Sequence, residues 1–100
     1  MKDKIYIEMV FESKVIVIVI LIKIDEDEHI ISYAYIPEDK TEYGKGKITL
    51  NKQDSKVIDY TLSKLENERN ILTYRNKSFL AIRNFIKEDE FPSRYLYAWY

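Results

Sequence analysis

The chain has one histidine, His29, which follows four consecutive acids, Asp25-Glu26-Asp27-Glu28, and it has no cysteine. Zinc sites are built from imidazole and thiolate ligands, and a single imidazole cannot complete one. The lack of cysteine removes thiolate nucleophiles, thiolate metal sites and disulfides together. Serines at 13, 32, 55, 63, 78 and 93 stand in no nucleophile-elbow pattern. The acidic run neither alternates oxygen ligands nor places a glycine at its bend, as a calcium loop does. Tyr43-Gly44-Lys45-Gly46-Lys47 lacks both the spacing and the Ser or Thr of a phosphate loop, so it reads as a turn. No metal and no cofactor are expected.

Recognition is the chemistry that remains. Asp25, Glu26, Asp27 and Glu28 concentrate negative charge at one point, and such a patch steers a basic partner. Near the end of the chain Tyr95, Tyr97 and Trp99 alternate with Leu96, Ala98 and Tyr100. Tyr and Trp supply large contact areas at low entropic cost and are enriched at binding hot spots. Aromatic strands also suit single-stranded nucleic acid. Here no basic stripe accompanies the rings and net charge is −1, which disfavours a nucleic-acid partner.

The elements that must hold these groups follow from periodicity. Val15 to Ile22 reads VIVIVILI, and branching at Cβ makes it a strand with apolar groups on both faces. Lys4 to Phe11 alternates as a half-buried strand, with Ile5, Ile7, Met9 and Phe11 on one side. Asp25 to Glu28 has the length and polarity of a hairpin turn, and His29 to Ile36 forms the returning strand, ended by Pro37. Glu38 to Lys45 reads as loop and Lys47 to Asn51 as a short strand with Ile48 and Leu50 inward. Val57 to Leu65 fits either period and leans to a helix capped by Asp54 or Ser55. Thr73 to Lys87 is helical, with Phe79, Ile82 and Ile86 on a stripe that Leu80 and Phe85 widen. It should stop before Glu88-Asp89-Glu90, since acids sit poorly at a helix C-terminus. Arg94 to Tyr100 is the last strand.

The expected fold is therefore α+β: an antiparallel sheet of four to five strands with one or two helices packed on one face. One hundred residues make a single domain, 1–100. With 46% hydrophobic and 33% charged residues, the composition is that of a folded chain and not of a disordered one. The apolar run is far short of the roughly 20 residues a spanning helix needs, so no membrane partner is expected and the cytoplasm is the expected compartment. The second face of the sheet either curls on itself or meets another chain.

Ile82-Arg83-Asn84-Phe85-Ile86-Lys87-Glu88-Asp89-Glu90, then Phe91-Pro92, then Tyr95-Leu96-Tyr97-Ala98-Trp99-Tyr100 resembles the last quarter of small bacterial immunity proteins, which neutralise polymorphic or contact-dependent toxins. The resemblance implies a non-enzymatic antitoxin that covers a cognate protein toxin, with the acids at 25–28 against a basic surface and Tyr97 or Trp99 as anchor. Two alternatives stand beside it. One is a structural or regulatory homodimer closing on the apolar strand. The other is a small ribonuclease-type toxin using His29 with Arg75 or Arg83.

Overall fold

The structure, a computed structural model, describes residues 16–99. The strand expected over Lys4 to Phe11 lies outside the described residues. The β-branched run forms β1 (Val17–Glu26), followed by β2 (Ile30–Pro37), β3 (Gly46–Asn51) and β4 (Val57–Thr61). Two helices, α1 (Lys64–Arg69) and α2 (Thr73–Glu88), precede the last strand, β5 (Arg94–Trp99). All pairings are antiparallel and the sheet order is β4-β3-β2-β1-β5. The α+β class is as expected, with α2 as the main helix.

Alternation places Val19 and Leu21 of β1 on one face with Ile31, Tyr33 and Tyr35 of β2 and Ile48 and Leu50 of β3. Leu65 of α1 and Tyr74, Ala81, Ile82 and Phe85 of α2 close this core. Apolar groups on the other face, Ile20, Ala34 and Ile36, are also buried but belong to no part of that cluster. Among the described residues both helices lie on the first face.

Several boundaries differ from the sequence expectation. β1 continues through Asp25 and Glu26, with a bulge between Lys23 and Asp25, and the turn comprises only residues 27–29. The reason is local: Asp27 Oδ1 accepts the backbone N–H of His29 at 2.7 Å and of Ile30 at 2.8 Å, closing an Asx-type turn at Asp27. Val57 to Leu65 is strand and then helix. Val57, Ile58, Tyr60 and Thr61 suit a pleated surface and pair with the open side of β3, while the cap of α1 is Ser63 and not Asp54 or Ser55. Leu80, expected in the buried stripe of α2, is 53% exposed. α2 includes Glu88, and Asp89 ends it in the left-handed conformation at φ 55°.

Candidate functional site

A buried carboxylate joins the three elements around the start of α2. Ser63 Oγ accepts from the Glu66 N–H while the Glu66 side chain reaches back to the Ser63 N–H, a reciprocal cap that satisfies two orphan donors of α1. The same Oε1 accepts the Ser63 hydroxyl at 2.9 Å and the Tyr35 hydroxyl of β2 at 2.5 Å. The other oxygen, Oε2, accepts the backbone N–H of Arg75 at 2.8 Å. Leu72, at the N-cap of α2, offers no side-chain cap, so Glu66 supplies from α1 an acceptor that the first turn of α2 lacks. Tyr35 itself is held by its cross-strand partner Gly46: any Cβ there would overlap the phenol ring, so only glycine lets the ring lie across β3. Burial, reinforced by the hydrogen bond to Glu66, pushes the Tyr35 phenol well above its ordinary range.

This junction fixes the backbone from which Arg75 projects. The spacing Arg75, Phe79, Arg83 repeats every four residues and sets the three side chains along one ridge of α2. The Arg75 guanidinium lies 4.8 Å from the Tyr60 ring centroid on β4 and 4.9 Å from that of Phe79. That of Arg83 lies 5.4 Å from the Phe79 centroid, and its Nε donates to the Ser55 carbonyl at 3.2 Å. Tyr60 and Phe79 meet edge to face at 6.2 Å. Arg75 also donates Nε and Nη2 to Asn76 Oδ1 at 3.1 and 2.8 Å, which orients the plane of its fork. Two guanidiniums beside aromatic rings suit a planar ring bearing a phosphate, because the outer edge of the Arg75 fork, the one not turned to Asn76, can donate to phosphate oxygens and the rings offer apolar contact.

The residues singled out by sequence reasoning are distributed differently. At the hairpin tip Glu26 is engaged by Lys23 at 2.9 Å and Lys52 at 3.1 Å, and those two hydrogen bonds hold its carboxyl below the usual range. Asp27 is lowered by the backbone N–H groups of Ile30 and His29. Two of the four acids therefore serve the turn and its neighbours. His29 is 79% exposed, lies 3.6 Å from Glu28, and makes no contact with Arg75 or Arg83. Tyr95, Tyr97 and Trp99 face α2: Tyr95 meets Phe85 at 5.0 Å, Trp99 meets Tyr74 at 6.1 Å, and Tyr97 and Trp99 touch at a tilt, 5.6 Å between centroids. They flank the core, and the structure does not bring them together with the acids at 25–28.

Residues 4–82 match the protein-tyrosine phosphatase family. The chain belongs to that family. No curated protein and no solved structure matches it. Tyr60, Glu66, Arg75 and Phe79 lie inside the matched stretch, Arg83 is the residue just past its end, and β5 lies wholly outside. The match corrects the resemblance to immunity proteins, which rested on a terminal quarter that is common chemistry for any helix followed by an aromatic edge strand. The functional readings of an antitoxin, of a purely structural or regulatory protein and of a ribonuclease-type toxin fall with it. So does that of a non-enzymatic chain, since the family is one of phosphatases. Among the described residues no helix is long and apolar enough to cross a membrane.

Sequence reasoning passed over Glu66, and it named Arg75 and Arg83 as partners for His29 and Phe79 as part of the apolar stripe, not as one ridge. The pattern Ser63-x-x-Glu66 was the available sign of a cap, and the four-residue spacing of Arg75, Phe79 and Arg83 was the available sign of a shared face.

Proposed function

We propose that this chain acts on phosphotyrosine, and that the ridge of Arg75, Phe79 and Arg83 with Tyr60 receives the phosphoaryl group. The observation that carries the reading is the Arg75 guanidinium set against both Tyr60 and Phe79, which meet each other edge to face, within the family-matched stretch. The family supplies the substrate chemistry, and the ridge supplies charge and stacking suited to it. Guanidinium charge stabilises phosphoryl oxygens as charge shifts onto them during transfer. These 100 residues contain no cysteine and so supply no thiolate of their own to accept the phosphoryl group. The acceptor in this reading is water: the P–O bond to the tyrosine breaks, water oxygen forms the new bond, its proton ends on the phenol, and inorganic phosphate leaves. The cytoplasm, a reducing compartment with which a cysteine-free chain is compatible, is where we place this action.

The test uses a phosphotyrosyl peptide with the phosphoseryl peptide as control, following binding by calorimetry and inorganic phosphate release in parallel. Arg75→Ala and Arg83→Ala should each weaken binding of the phosphotyrosyl peptide by about tenfold or more, as expected for a lost charged hydrogen bond. Arg75→Lys should recover less than half of that loss in free energy, because lysine keeps charge but not the stacked fork. Wild-type protein that neither binds nor hydrolyses the peptide, or arginine variants with unchanged affinity, would overturn the reading.

A further inference from the structure

The cleft between α2 and β5 lies away from the arginine ridge and mostly beyond the family-matched stretch. One pocket of about 160 Å³ is lined by Leu80, Ala81, Asn84, Phe85, Tyr95 and Tyr97. It adjoins another of about 550 Å³ that shares Asn84, Phe85 and Tyr95 and adds Glu88, Glu90, Phe91 and Pro92. Leu80 and Tyr95 are 53% and 39% exposed, an outlay of apolar surface that the fold itself does not use. The far end of the cleft is acidic. Glu88 and Glu90 line it, Lys87 does not, and the carbonyl end of α2 adds partial negative charge. Phe91 is already occupied, with the Lys52 ammonium 4.6 Å from its ring centroid, and Phe85 is buried, so Leu80 and Tyr95 are the apolar surfaces left to a ligand.

An apolar slot that opens onto carboxylates selects its occupant by charge as well as by shape. We propose that this cleft docks a short linear segment of a partner protein in which a large aliphatic side chain is followed within a few residues by lysine or arginine. The aliphatic group fills the slot between Leu80 and Tyr95, and the basic groups meet Glu88 and Glu90. A phosphate would be repelled here, so this docking is separate from the handling of phosphotyrosine and does not rest on it.

The probe is a fluorescein-labelled dodecapeptide carrying one leucine followed by three lysines, titrated with full-length protein and read by anisotropy. Two further peptides replace the leucine by aspartate or the lysines by glutamate. Binding should weaken at least tenfold for Leu80→Asp protein and for both altered peptides. The Glu88→Gln/Glu90→Gln protein should bind a few-fold more weakly and lose most of the salt dependence. Leu80 stands in water, so its substitution leaves the core intact, and circular dichroism verifies this. Absence of binding by the wild-type protein would overturn the proposal. So would equal affinity of Leu80→Asp and wild type, or full binding of the aspartate peptide, which would reveal charge attraction alone.

Discussion

At the tip of the β1–β2 hairpin four neighbouring carboxylates stand largely in water, while beneath α1 a single carboxylate, 1% exposed, takes hydrogen bonds from β2, from the cap of α1 and from the backbone of α2. The four are conspicuous in the sequence and the one is not. Their structural weight runs the other way, because what an acid contributes depends on how many donors it satisfies away from solvent and on what would be left bare without it. The tip acids have water as an alternative partner. The donors around Glu66 have none.

The largest expected effect follows from that contrast. Glu66→Ala strands the Tyr35 hydroxyl, the Arg75 N–H and the Ser63 N–H in one step, leaving only the Ser63 half of the α1 cap. Stability should fall by about 3–5 kcal/mol, the range for breaking a buried polar network. Urea denaturation measures it, with Ser63→Ala as the milder comparison at about 1 kcal/mol for a lost cap. If Glu66→Ala costs no more than Ser63→Ala, the carboxylate is only a cap and does not tie the two helices to the sheet.

How far the fold was legible depends on whether a segment's partner is near it in sequence. β1, β2, β3 and β5 announce themselves by β-branched runs or strict alternation, and α2 by apolar groups three and four residues apart. Val57 to Leu65 did not, because Ile58 and Leu62 share a face in either period, and the deciding influence was the open side of β3. The cap pattern at Ser63 and Glu66 was local and readable. Its extension to Tyr35, 31 positions away, was not. The arginine ridge divides in the same manner: the spacing along α2 is in the sequence, whereas Tyr60 arrives from β4 through the tertiary fold. The tip misled for the converse reason, since charge density is visible in a sequence and the approach of Lys52 to Glu26 is not.

A second effect sharpens the comparison by changing the donors while leaving the acids alone. Tyr33 donates to the Pro92 carbonyl at 2.6 Å, and burial, with the Glu26 charge second, pushes its phenol up to about 12 from 10.0. Tyr35 and Tyr74 are raised further by burial and by hydrogen bonds to Glu66 and Glu38. In each case the unfolded chain releases the proton first as pH rises. The stabilisation is complete below the ordinary phenol value of 10.0 and, for Tyr33, is lost progressively up to about 12. The urea midpoint should therefore drop across that window. Tyr33→Phe should make the drop shallower. A midpoint that stays flat to the top of the window would mean that these hydroxyls are not held in the way the geometry implies.

The smallest effects belong to the tip, and they separate its members. Asp27 closes the turn with two backbone N–H groups, whereas Glu28 has only the exposed His29 beside it. Asp27→Ala should lower the unfolding midpoint measurably, though much less than Glu66→Ala does, while Glu28→Gln should leave it unchanged. The Asp27 carboxyl is held below its ordinary value by those N–H groups, so its contribution is present above 3.8 and fades as pH falls through the lowered value. Wild type and Asp27→Ala should accordingly converge in acid and diverge at neutral pH. Convergence at every pH would place Asp27 with Glu28 as a solvated charge. It would also mean that the early end of the turn, which keeps Asp25 and Glu26 in β1, is set by the strand pairing rather than by its acid.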